Sequence, residues 1–303
     1  DFASAESFSL IDKISHGNFT TTLGMRYEDV EYWEYYWDND IAASAAGVAQ
    51  TNSNSETMIA ASTVYDMGNG KSTFAAFNQG YMPSGNHGDE TVKSTEPEKS
   101  DSYEIGYRSY GANSQMEIIG FYIDYENLLE VCNIGAGCAD SSQNQNNAGE
   151  AHVQGIEFLY KVNNLFAAPQ MKGAANTGSG IRYPMIIAVT LQEAEHDTAT
   201  DSGIQDGARI AYTPEEIYYV SIGAETNSWD MQLSAKYNDE VYNKGSSLSD
   251  KTESAVIYDF RSGMSLDSMG YAGARAFLNI DNLFDKEYIA SAHNYGFRAN
   301  KPQ

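Results

Sequence analysis

Residues Trp229-Asp230-Met231-Gln232-Leu233-Ser234-Ala235-Lys236-Tyr237-Asn238 alternate apolar and polar side chains without a break. A strand sends successive side chains to opposite faces, so this run has an apolar face and a polar face. Phe19, Leu23, Met25 and Tyr27 alternate in the same way with Thr20, Thr22, Arg26 and Glu28. Runs of this kind predict about twelve strands, near 6–15, 19–37, 56–66, 72–82, 99–109, 114–128, 151–163, 182–194, 211–225, 229–242, 253–265 and 272–282. Most are longer than the roughly 5–6 residues of a globular strand and close to the 9–11 that a tilted strand needs to cross a bilayer. No window keeps apolar residues at i, i+3, i+4 and i+7, which sets helices aside.

The connections alternate in length. Short turns are expected at His16-Gly17-Asn18, Gly68-Asn69-Gly70, Gly111-Ala112-Asn113 and Thr226-Asn227-Ser228. Longer polar loops fall between them, near 38–55, 83–98, 129–150, 195–210 and 243–252. Short turns on one side and long loops on the other are the pattern of outer-membrane barrels. The connection 164–181 departs from it, being long on the short-turn side. Charged residues such as Arg26, Glu28, Glu104, Arg108, Lys236 and Arg275 lie on the polar face, which a wet barrel interior tolerates. A soluble β-sandwich would show the same alternation, and the loop pattern favours the barrel.

The composition agrees. There are 22 Tyr against 12 Phe and 3 Trp, and only 6 Pro. Tyrosine, with an apolar ring and a wet hydroxyl, suits the interfacial girdles of barrels. Tyr32, Trp33, Tyr35, Tyr36 and Trp37 are expected in such a girdle. The net charge of −24 excludes binding to nucleic-acid phosphates. No run of about 18 apolar residues is present, so no transmembrane helix is expected. Cys132 and Cys138 flank a glycine-containing loop and are expected to pair in an oxidising compartment; a soft-metal site is the poorer alternative, because no histidine is near. No Gly-x-Ser-x-Gly and no supported Ser, His and Asp grouping occurs, so an enzyme is not expected.

Three segments resemble the TonB-dependent receptors of Gram-negative outer membranes. Pro97-Glu98 followed by Glu104-Ile105-Gly106 is similar to the family's Pro-Glu-x-x-x-x-x-Glu-x-Gly strand entry. Gly155-Ile156-Glu157 resembles its Gly-x-Glu strand. Asn282-Leu283-Phe284-Asp285-Lys286-Glu287-Tyr288 resembles its Asn-Leu-Phe-Asp-x-x-Tyr segment near the C-terminus. The ferric-citrate and ferric-siderophore branch is the most similar.

The resemblance implies an all-β, antiparallel transmembrane barrel. Residues 1–303 would form the C-terminal part of a 22-stranded wall, with about nine strands upstream. It also implies an upstream plug and TonB box, neither of which is found in this chain. The implied partners are the TonB energy-transduction complex, reached through that upstream segment, outer-membrane lipid and lipopolysaccharide, and an iron chelate as cargo. No cofactor and no resident metal is expected. A passive porin-like channel and an adhesive surface barrel are the alternatives. Tyr81, His87, His196, Arg209 and His293 are the candidate ligand-binding residues, in or near the long loops. Arginine offers a planar fork for anionic chelates, although acidic neighbours favour a salt bridge for Arg209. Asn282 and Asp285 are expected to form a turn, with Leu283 and Phe284 anchoring a strand end.

Overall fold

A computed structural model describes residues 2–35, 49–83, 96–131, 145–147, 149–166, 180–198, 206–242, 251–293 and 296–300. Twelve strands form one sheet: β1 (Phe2–His16), β2 (Phe19–Tyr35), β3 (Ala49–Gly68), β4 (Lys71–Met82), β5 (Glu98–Tyr110), β6 (Ser114–Glu126), β7 (Ala151–Val162), β8 (Met185–His196), β9 (Glu216–Glu225), β10 (Trp229–Asn238), β11 (Ala255–Ser265) and β12 (Arg275–Ile280). Each strand pairs antiparallel with its neighbour in the chain, so the sheet is a single meander. Three short hairpins extend it: Leu129–Val131 with Gln145–Asn147, Val241–Tyr242 with Lys251–Thr252, and Tyr288–His293 with Gly296–Asn300.

The twelve expected strands are all present, and their ends move for local reasons. β3 starts at Ala49 because the polar run Thr51–Ser55 pairs residue by residue with β2 up to Tyr35↔Ala49. Backbone pairing in a long hairpin does not need apolar side chains, so the expected loop 38–55 is shorter than its composition suggests. β8 starts after Pro184, which has no N–H to donate; before it Arg182 makes one isolated bridge to Glu225. β9 starts at Glu216, after a turn holding Pro214 and Tyr212 at φ 62°. β12 is confined to Arg275–Ile280 because a one-turn 3-10 helix, Asp267–Met269, occupies the connection before it.

The sheet has almost no core. Among the described residues, the buried apolar side chains are Phe74, Ala151, Val162 and Ala194. A single layer cannot bury itself, so one face must meet another apolar medium.

Two polar devices hold the short-turn end. Asn113 and Asn164 clamp each other: the Asn113 amide donates to the Asn164 carbonyl at 2.9 Å, and the Asn164 backbone N–H donates to Asn113 Oδ1 at 3.0 Å. Asn164 Oδ1 also accepts the Tyr183 N–H at 3.2 Å, so both ends of the long connection 164–181 are tied to the β5–β6 turn. In the β11–β12 connection, Asp267 accepts the Ser265 hydroxyl at 2.6 Å and the Gly273 N–H at 2.6 Å. These bonds, the hydroxyl first, hold its carboxyl below the usual carboxylate range. A depressed pKa stabilises the fold above the ordinary aspartate value, about 3.9, and the contribution is lost as pH falls through the folded value. Asp267→Asn should therefore lower the melting midpoint at pH 6, with a smaller deficit at pH 3. An equal deficit at both pH values would refute this.

Candidate functional site

Register assigns every strand residue to a face, because directly paired residues point the same way. One face carries Leu23, Ile59, Ile105, Ile156, Leu191, Val220 and Leu233. Ile105 is 65% exposed, Ile156 50% and Leu23 47%. Aromatic rings bracket this belt. At the long-connection side Phe77, Tyr103 and Tyr122 follow one another at 5.1 and 6.4 Å between centroids, and Tyr218 stacks on Tyr237 at 5.4 Å. At the short-turn side Phe19 meets Tyr65 at 4.7 Å. Apolar belts between aromatic girdles are the lipid-facing surfaces of barrels. The side chains of Tyr32–Trp37, expected in a girdle, lie outside the described residues.

The opposite face is polar and ion-paired. It holds Arg26–Glu28 at 3.2 Å, Arg108–Glu117 at 3.1 Å, Arg182–Glu225 at 3.1 Å, and Arg275 with Asp230. The Arg108 guanidinium also lies over the Phe74 ring, 4.2 Å from its centroid. The ion-paired residues are partly solvent-exposed, so their role is to keep the surface wet rather than to stabilise strongly.

Two motif glycines lie on this inner face beneath aromatic rings. A Cβ on Gly155 would sit 2.7 Å from Phe121 and 2.9 Å from Gln192 Cβ, and would also strike the Leu191 carbonyl. A Cβ on Gly106 would run into Phe74 and lie 3.0 Å from the Ile118 carbonyl. The glycines of Glu104-Ile105-Gly106 and Gly155-Ile156-Glu157 are thus the places where a neighbouring ring packs against the strand. An isolated glycine inside a strand is the sequence signal of such an approach.

At the long-connection rim β3 and β4 part. Their pairing ends at Ala60↔Asn78, while β4 and β5 stay paired to Met82↔Glu98. Side chains bridge the fork: Gln79 accepts the Ile59 N–H at 3.1 Å and donates to Asp101 at 3.0 Å, and Lys99 meets Glu56 at 2.6 Å. A polar cavity of about 250 Å³ lies there.

The described candidate ligand residues do not converge. Tyr81 is on β4 opposite Lys99. His196 is the last residue of β8 rather than part of a solvated loop, and it is 1% exposed. Its backbone N–H donates to Ala208, which places it beside Arg209. Arg209 is engaged: its guanidinium contacts Glu215 at 2.7 Å and lies 5.1 Å from the Tyr242 ring centroid. The expected salt-bridge role is the one it fills. Three strands, β5 to β7, separate Tyr81 from this pair. His87, Cys132, Cys138 and the His293 side chain lie outside the described residues. Among the described residues no group of three His, Cys, Asp or Glu is placed to hold a metal ion.

The Asn282 segment forms the expected turn. Asn282 and Asp285 both adopt φ 53°, and the Asp285 N–H donates to the Asn282 carbonyl at 2.8 Å. The Leu283 N–H donates to Tyr258 at 2.6 Å, and Phe284 stands edge-on to the Tyr258 ring at 5.1 Å.

Comparison with known proteins gives this geometry a family. The family model described as TonB dependent receptor-like, beta-barrel matches residues 3–283. The chain is similar to the ferrioxamine B receptor of Salmonella typhimurium, 23% identical over 297 residues, covering 96% of this chain and 38% of that protein. It is also similar to the ferrichrome outer membrane transporter/phage receptor of Escherichia coli, 24% identical over 294 residues, covering 94% of this chain and 35% of that protein. The chain thus spans well under half the length of these relatives. In fold it resembles the ferric citrate transporter FecA, with TM-score 0.75, 17% identity, 99% of this chain and 43% of that one. It likewise resembles the ferric yersiniabactin uptake receptor FyuA of Yersinia pestis, with TM-score 0.73, 20% identity, 98% of this chain and 44% of that one. These proteins are receptors and transporters rather than enzymes, and the setting of the sheet is the outer membrane of a Gram-negative bacterium. The chain belongs to the TonB-dependent receptor β-barrel family.

Proposed function

We propose that the full-length protein imports a ferric siderophore across the outer membrane with energy delivered by TonB, and that residues 1–303 supply part of its barrel wall. The observation that carries this reading is the alignment of nearly the whole chain with receptors for ferrioxamine B and ferrichrome. In this reading the remaining strands pair with the free edges of β1 and β12, because unpaired strand edges are not tolerated in lipid. An upstream segment carries the contact with TonB.

Charge narrows the cargo. A net charge of −24 favours a neutral or cationic ferric chelate over anionic ferric citrate, through field and on-rate. His87 and His293 stay candidates for contact with it on sequence grounds, whereas Tyr81 shares the face of Phe77 and Tyr103 and His196 is buried. Binding is enclosure by loops and aromatic faces, without covalent chemistry.

The test is uptake of radiolabelled iron, supplied as ferrioxamine B or ferrichrome, by cells whose only ferric-siderophore receptor is the full-length protein. Uptake should require TonB, and deletion of residues 129–150 should reduce it several-fold with the barrel still assembled. Uptake that persists without TonB would replace this reading with the passive channel, and an undiminished rate after the deletion would remove that loop from the binding site.

A further inference from the structure

The fork between β3 and β4 leaves one backbone edge open. On β3, Asp66 donates its N–H to Asn18, on the β2 side, whereas Ile59 donates its N–H towards β4, to the Gln79 side chain at 3.1 Å. Backbone groups along a strand alternate in direction with period two, so the even residues of β3 bond β2 and the odd residues face the fork. Thr57, Ser55, Ser53 and Thr51 therefore turn both N–H and C=O away from β2. Among the described residues no strand pairs with them, although β2 holds the other side of this stretch up to Tyr35↔Ala49.

Three features suit this edge to an added strand. It stands in water: beyond Ile59 the outward side chains Thr57, Ser55 and Ser53 are polar and exposed. It is unguarded: edge strands are normally blunted by lysine, proline or a bulge, and Ala49–Ile59 has none of these. Its surroundings are acidic. The cavity at the root of the fork is lined by Glu56, Asp101, Asp124 and Glu126 against Lys99, and Asp29 and Glu31 of β2 are the register partners of Ser55 and Ser53. Those serines are short. A lysine opposite either one on an added strand reaches over β3 towards a carboxylate two strand spacings away, about 10 Å.

We propose that the open edge of β3 binds an extended, lysine-rich segment of a partner protein as an added antiparallel strand. Its backbone pairs along Thr51–Thr57, and its alternate lysines are directed at Asp29 and Glu31. The site uses no residue proposed for contact with the iron chelate.

Fluorescence anisotropy of a labelled nine-residue peptide alternating lysine and threonine, with the full-length receptor in phosphatidylcholine nanodiscs, tests this. The peptide should bind at least tenfold more tightly than its counterpart with glutamate in place of lysine. N-methylation of alternate amides comes in two patterns. The one that blocks the amides facing β3 should weaken binding at least tenfold, and the other should not. Ser55→Pro removes an N–H that faces the fork, spares the ladder to β2 and should weaken binding by a similar factor; Ser55→Thr should leave it unchanged. The methylation patterns decide the matter on wild type even if Ser55→Pro fails to fold. No binding, equal binding of the lysine and glutamate peptides, or tolerance of both methylation patterns would overturn the site. A wild-type dimer in sedimentation that Ser55→Pro dissociates would give the edge to a second copy of the chain and would equally overturn it.

Discussion

Gly155→Val is expected to lower the urea midpoint of the folded protein sharply. The added carbons would collide with the Leu191 carbonyl of the adjacent strand, the Phe121 ring and Gln192 Cβ. A ring can rotate away, but a backbone oxygen inside a hydrogen-bonded ladder cannot move without breaking pairing on both sides. Overpacking usually costs about 1–3 kcal/mol, and a clash with backbone places this case at or above the upper end. A cost of about 3 kcal/mol lowers the folded-to-unfolded ratio more than a hundredfold. The measurement is the urea midpoint of the receptor refolded into lipid. Gly120→Ala is the control, with ordinary contact distances around its new methyl. Equal midpoints for Gly155→Val and Gly120→Ala would show that the inner-face packing at Gly155 is not what fixes the glycine.

Different parts of this fold are encoded over different distances along the chain. Alternation along Trp229–Asn238 and the Gly-Asn turns depend on neighbours in the chain, and they fixed strand number, order and facing. The long β3 extension was not legible, because Thr51–Ser55 are held by backbone pairing with β2 and carry no periodic signal of their own. The candidate site was legible only in part. Arg209 was recognisable as a cation in an acidic loop, but its partner Glu215 and the Tyr242 ring come from a return of the chain. His196 reads as a loop histidine and is buried, because the segment from Asp206 folds back along the end of β8. The Lys99–Glu56 bridge was hidden for the same reason, since it spans a fork between strands rather than a register pair. Local periodicity carries the wall, and contacts between distant segments carry the rim.

Asn282→Ala is expected to cost about 2–3 kcal/mol, the sum of two distinct losses. The first is conformational. Asn282 sits at φ 53°, a region that asparagine and glycine tolerate and alanine does not. The second is two hydrogen bonds: Asn282 Oδ1 accepts the Lys286 N–H at 2.9 Å, and its Nδ2 donates to the Lys286 carbonyl at 3.0 Å. Together they close the turn, which is moored to β11 through the Asn282 N–H on Asp259 Oδ1 at 2.8 Å. Asn282→Gly restores the backbone freedom without the side-chain bonds, and should recover roughly half of the deficit. Asn282→Asp keeps an acceptor for the Lys286 N–H but cannot donate to the carbonyl, so it too should fall between wild type and alanine. Denaturant midpoints of the three variants therefore separate the contributions. If glycine proved as damaging as alanine, the bonds to Lys286 alone would hold the turn; if glycine matched wild type, the side chain would matter only for the backbone angle it permits.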